Sequence, residues 1–223
     1  MSRQRTASAR ATVTRGDTAA EDVRDRPEAW EVVASAEPVR LNILTLRTDE
    51  VRMPEGDTAR RDYVRHPGSV GVLAIDDDQR VLLIRQYRHP VRSLLWEIPA
   101  GLRDIPGEPL LDCARRELAE ETGHRADTWH LLLDLLVSPG ASDERIRIFL
   151  ARGLMPIPEG ELDYVRRHEE ADIRLAAVPL AEAAGKVLSG MIHNSSAVAG
   201  ILAAYAASAD GFASLRPADA PEA

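Results

Sequence analysis

At 223 residues, with a formal net charge of -8 and a sequence pI near 5.3, the chain has room for one domain and a small appendage, and carries no overall basic field to attract nucleic acid or anionic lipid. Apolar residues make up 44% and charged residues 29%, a balance that permits a buried core and excludes global disorder. The single cysteine, Cys113, excludes an internal disulfide framework and a Cys-rich zinc site and suits a reducing cytoplasm, and no apolar run is long enough to read as a membrane span.

Residues 1–26 are rich in Arg, Ser, Thr and Ala but lack the apolar stretch of a secretory signal. Asp17, Glu21, Asp22 and Asp25 count against an organelle transit peptide, so a disordered tail is expected. Residues 27–66 read as a small antiparallel β appendage. Trp30 to Val51 alternates apolar and polar residues, with Val39, Leu41 and Ile43 on one face, which is the period of a half-buried strand. Asp49-Glu50 and Pro54-Glu55-Gly56-Asp57 punctuate it as turns, and a further strand covers Arg61 to His66.

The main domain is expected over residues 67–210. Val70 to Ile75, the turn Asp76-Asp77-Asp78-Gln79 and Val81 to Gln86 form a predicted hairpin. Its three aspartates lack the spaced ligands and closing Glu of a calcium loop and read as a solvated turn. Next comes a helix in which Pro109 suits the first turn, Leu110, Leu111, Ala114, Leu118 and Thr122 share one face, and Gly123 ends it. Strands follow at Trp129 to Val137, Arg145 to Ala151 and Ile173 to Val178, then helices at Leu180 to Leu188 and Ser195 to Ala207. Residues 211–223, rich in Pro and Ala, are expected to be a flexible tail. The fold class is α/β of the α+β kind, a mixed sheet with helices on its faces.

The chemistry concentrates in Arg115-Arg116-Glu117-Leu118-Ala119-Glu120-Glu121-Thr122-Gly123, where Glu117, Glu120 and Glu121 stand at i, i+3 and i+4 on one helical face. Three carboxylates side by side repel unless a cation neutralises them, and crowded oxygen donors are what a hard ion such as Mg²⁺ or Mn²⁺ prefers. The bland alternative is an exposed helix face paired to Arg115 and Arg116. Gly101 in the loop ahead, Glu108 before the helix and Gly123 after it set the carboxylates in a loop-helix-loop unit.

Gly101, Glu108 and the run Arg116 to Gly123 together resemble the Nudix hydrolase motif. Two departures stand out: six residues separate Gly101 from Glu108 where the family has five, and His124 fills the last aliphatic place. The extra residue falls in a loop, where insertion costs little closure entropy. The resemblance implies a Nudix-type mixed β-sheet sandwiched between helices. It assigns Glu117, Glu120 and Glu121, with the backbone carbonyl of Ala100, to Mg²⁺ or Mn²⁺, and gives Gly101, Glu108 and Arg116 a bracing role.

Flanking residues are similar to the ADP-ribose pyrophosphatase branch. Gln86-Tyr87-Arg88 and Trp96-Glu97-Ile98-Pro99-Ala100-Gly101 lead into the motif, Pro139 lies sixteen residues beyond Gly123, and Arg167 to Arg174 resembles a loop that presents a catalytic glutamate. The branch implies Arg88, Arg85, Glu97, Glu144 and Tyr63 as substrate-binding residues, although strand alternation sets Arg85 and Arg88 on opposite faces. Glu170, then Glu169, is the expected general base beside Glu121 in the catalytic set. The implied reaction is attack of metal-activated water on one phosphorus of ADP-ribose, yielding AMP and ribose 5-phosphate. Adenine would stack on Trp30, Tyr63 or Trp129. The branch further implies a homodimer whose exchanged N-terminal strands bring Arg40, Arg61 or Tyr63 to the neighbour's pocket, while charge, hydropathy and the lone cysteine lead to the expectation of a cytoplasmic protein with no nucleic-acid or membrane partner. Alternatives are another sugar nucleotide or a dinucleotide as substrate, and a non-catalytic ADP-ribose-sensing module.

Overall fold

A computed structural model of the chain describes residues 23–162, 164 and 172–222. Most of the expected N-terminal tail lies outside the described residues, as does the segment that holds Glu169 and Glu170.

The N-terminal region folds as a separate three-stranded antiparallel sheet of β1 (Val32–Arg40), β2 (Thr45–Arg52) and β3 (Thr58–Arg65), in that order. The single strand expected from Trp30 to Val51 is instead a hairpin. It turns at Leu41-Asn42-Ile43-Leu44, where the Leu41 N–H donates to the Leu44 carbonyl at 2.8 Å. Only Asn42 is a turn former there, so the apolar alternation ran on through the bend and hid it. Asp49 and Glu50 likewise lie inside β2, not in a turn. Asp49 is buried and accepts from Ser35, Arg47 and Tyr63, so its polarity serves a side-chain network.

The second sheet has eight strands. Its main path runs β10 (Arg174–Pro179), β5 (Arg80–Arg88), β4 (Ser69–Ile75), β9 (Arg145–Pro156), β8 (His124–Leu136) and β11 (Arg216–Pro217). β6 (Ser93–Glu97) adds to β5, and β7 (Ala100–Leu102) adds to β4. β4 and β9 run parallel with Ser69 opposite Ile146, and the other pairs are antiparallel. The expected hairpin forms, and the Asp76 carboxylate caps its turn by accepting from the N–H groups of Asp78 and Arg80.

Strand alternation sends side chains to both faces, and each face is covered. Val70, Val72, Ala74, Leu82, Phe149 and Ala151 pack against Cys113, Ala114 and Leu118 of α1 (Leu110–Thr122). On the opposite face, Leu73, Ile75, Leu83, Ile148 and Leu150 pack against α2 (Leu180–Leu188) and α3 (Ser195–Ala207). Both later helices occupy the predicted ranges. α1 begins one residue after Pro109, which stands at its N-cap, and Gly123 closes it in the left-handed region at φ 69°. No helix among the described residues is long and apolar enough to cross a membrane.

The C-terminus departs from the expected flexible tail. Arg216-Pro217 pairs with β8, Phe212 is buried, and Arg147 on β9 donates to the carbonyls of Ala220 and Pro221 at 2.7 and 2.9 Å. A buried guanidinium demands acceptors, and the last residues supply them.

Candidate active site

The α1 carboxylates meet the strand before them through Gly101. A Cβ on that residue would stand 2.0 Å from the Glu117 carboxyl carbon, so a side chain there would push the Glu117 carboxylate out of its present position. Glu121 is 5% exposed, and its carboxylate accepts from the Ala100 N–H at 2.8 Å, which ties the helix to the residue whose carbonyl is the candidate fourth ligand.

Arg116 braces the cluster. Its guanidinium grips Glu108 with two bonds of 3.0 Å, and its Nη1 reaches Glu117 at 2.7 Å and Glu120 at 3.3 Å. The insertion between Gly101 and Glu108 has not displaced Glu108 from this contact. Hydrogen bonding to Arg116 holds the Glu108 carboxyl below the usual range, and the same bond raises the Arg116 pKa, so that it stays charged. Burial instead pushes the Glu117 carboxyl up to about 7, opposed by Arg116 and reinforced by Glu120. Among the described residues no three acidic, His or Cys side chains converge within metal-binding reach, because Glu117 and Glu120 turn to Arg116 while Glu121 turns to Ala100.

Arg88 and Glu97 lie on the α1 side of the sheet and bind each other. Arg88 Nε donates to both Glu97 oxygens at 3.0 and 3.2 Å, and its Nη2 to one of them at 2.7 Å. Glu97 is 2% exposed and also accepts from Gln86 at 3.3 Å. Gln86 is thus a member of the site that sequence reasoning passed over, although period-2 alternation placed it beside Arg88. Arg85 is not brought here: it faces the α2–α3 side and stacks over the Trp96 ring at 5.6 Å.

The Tyr63 hydroxyl donates to Asp49 at 3.0 Å, and burial together with that neighbour raises its pKa and keeps it a donor. Its ring lines a groove of about 390 Å³ with Arg61, Pro139, Asp143 and Arg145, between β3 and the loop after β8. Glu144 stands in that loop near His66, which had no sequence signal beyond its place before Pro67 and Gly68. Of the candidate aromatics, Trp129 packs edge-on against Phe149 and covers the α1 core, a structural position, whereas Trp30 is half exposed. Glu169 and Glu170 lie outside the described residues.

Residues 65–195 match the NUDIX domain model, well over half of the chain. The chain belongs to the Nudix family. Among its Nudix relatives, it is 48% identical over 177 residues to the ADP-ribose pyrophosphatase of Mycobacterium tuberculosis, covering 79% of this chain and 83% of that one. To the ADP-ribose pyrophosphatase of Bacillus subtilis it is 34% identical over 153 residues, 68% of this chain and 80% of the other. A GDP-mannose pyrophosphatase of Cronobacter sakazakii is 30% identical over 174 residues, 70% of this chain and 85% of that one. In three dimensions the Nudix fold is shared with a crystal structure of an ADP compounds hydrolase, at TM-score 0.65 and 24% identity, covering 84% of this chain and 99% of that one.

Proposed function

We propose that this Nudix hydrolase is a metal-dependent ADP-ribose pyrophosphatase that releases AMP and ribose 5-phosphate. The observation that carries this reading is the 48% identity, over four fifths of the chain, to an enzyme of that name, in a protein that keeps every carboxylate of the motif. The donor set fits a hard divalent ion: carboxylates crowd one face of α1, and Gly101 leaves room for the Glu117 carboxylate to lie against the Ala100–Leu102 strand. Glu117, Glu120 and Glu121 with the Ala100 carbonyl would hold Mg²⁺ or Mn²⁺, which when bound lowers the pKa of water and offsets phosphate charge.

The chain's own groups supply the rest. Arg88, fixed in orientation by buried Glu97, presents a guanidinium to the diphosphate. Glu170, with Glu169 second, accepts the proton of the attacking water, and Glu144 binds the sugar end. Tyr63 or Trp30 stacks on adenine. A homodimer accounts for the exposed apolar side chains of the N-terminal sheet, Val32, Val39, Leu41 and Ile43 among them, since so small a sheet must pack on something. Light scattering reads that state directly. The single buried cysteine is in keeping with a cytoplasmic enzyme.

The 30% identity to a GDP-mannose pyrophosphatase makes that sugar nucleotide the second candidate. The test is a panel of ADP-ribose, GDP-mannose, other sugar nucleotides, NADH and dinucleotides, each incubated with protein and Mg²⁺ and scored for nucleoside monophosphate. AMP from ADP-ribose at the highest kcat/KM is expected. Preferred cleavage of another compound refutes the substrate, and tight ADP-ribose binding without cleavage makes the chain a sensor.

A further inference from the structure

The end of β3 is fastened to the loop between β8 and β9 by contacts of several kinds. The Val64 N–H donates to the Ala141 carbonyl at 2.9 Å and the Asp143 N–H to the Val64 carbonyl at 3.2 Å, a short parallel bridge centred on Ser142. Two residues on, the His66 N–H donates to the Asp143 carboxylate at 2.8 Å, and Arg65 approaches the same carboxylate at 3.6 Å. His66 Nδ1 accepts from the Gly68 N–H at 3.0 Å. With Nδ1 occupied as an acceptor, the neutral ring carries its proton on Nε2. That nitrogen faces Glu144 Oε1 at 3.9 Å, longer than a hydrogen bond but close enough to be joined by side-chain rotation or one water. The His66 side chain is 14% exposed at this junction, and the residue lines a groove together with the Leu41–Leu44 turn and Leu102.

We infer that His66 is a positioning residue for Glu144, through which the N-terminal sheet sets the substrate loop of its own subunit. This rests on the reading that Glu144 binds substrate. The two ring nitrogens have separate duties, so two substitutions separate them. His66→Asn keeps an acceptor near the Nδ1 position for Gly68 but falls short of Glu144, whereas His66→Gln keeps a donor near the Nε2 position and gives up Gly68.

Four variants decide the matter: H66N, H66Q, E144Q and the double variant H66N with E144Q. Each is assayed for KM and kcat on ADP-ribose and for amide hydrogen exchange over residues 138–144. H66N is expected to raise KM about tenfold with kcat within about twofold, a loss of binding expressed equally in ground and transition states. It should also speed exchange in the loop. H66Q should hold KM within about twofold of the native value, and the double variant should be no worse than E144Q alone. Damage from E144Q beside a silent H66N leaves the substrate role of Glu144 standing and overturns this inference, as do multiplying effects in the double variant or harm confined to H66Q. A silent E144Q removes the role of Glu144 and the inference together.

Discussion

Arg116 and Arg147 both lie on the α1 side of the sheet and both bind carboxylates, yet their surroundings are balanced differently. Around Arg116 gather Glu108, Glu117, Glu120 and, at 3.8 Å, Asp104, four acids to one guanidinium. Arg147, 6% exposed, meets one acid, Asp134, at 2.7 and 3.1 Å, and gives its other N–H groups to the carbonyls of Ala220 and Pro221; Arg216 further offsets Asp134 at 3.3 Å. In the second cluster each nitrogen of the buried guanidinium has an acceptor and no negative charge is left over, as a structural tie requires. The first carries a surplus of negative charge close to buried Glu121, and folding alone gives no reason to keep it. A polar cluster whose carboxylates are all met by guanidinium groups holds a protein together, and a surplus of carboxylates marks where a cation completes the charge.

The contrast breaks most visibly in activity. Glu121→Gln keeps an acceptor for the Ala100 N–H, so the fold should persist while turnover falls by roughly 10³-fold. Steady-state kinetics alongside a melting curve checks both halves, and near-native activity would remove Glu121 from the metal set. Arg147→Met should do the reverse. Loss of the buried guanidinium leaves the Ala220 and Pro221 carbonyls without their donor while Arg216 still offsets Asp134, and should cost about 1–3 kcal/mol, read by urea unfolding, with specific activity of the folded fraction kept within about twofold. Inactivity in a folded Arg147→Met protein would mean that the C-terminal tie also shapes the site.

How much of this was legible in the sequence depended on how local the cause was. The three helices were, because apolar spacing and the αL glycine at position 123 act within a few residues. The bracing of Glu108 by Arg116 was legible through the Nudix motif. β6 and β7 were not, since strands of five and three residues are too short for a period to emerge. The docking of the C-terminus was hidden for a different reason: its anchor, Arg147, lies more than seventy residues earlier, and Pro- and Ala-rich composition alone suggests fraying. Arg88 and Glu97 were read as substrate-binding residues from their places beside the motif, but their mutual grip comes from the pairing of β5 with β6, which only the fold sets.

The surplus charge on α1 also has a signature in pH. Burial lifts the Glu117 carboxyl from 4.5 to about 7, so the folded state holds that proton more tightly than the unfolded chain does. Its stabilising contribution is present below the unfolded value and is lost as pH rises through about 7. Melting of wild type and Glu117→Gln at pH 8, first in chelator and then across a Mg²⁺ titration, therefore tests the central claim most directly. In chelator the variant should melt higher than wild type. Mg²⁺ should raise the wild-type Tm in proportion to the logarithm of its concentration above Kd, by roughly 5–10 °C at about a hundredfold excess over Kd, and move the variant much less. Equal melting in chelator together with no wild-type response to Mg²⁺, or an equal response in the variant, would contradict the account.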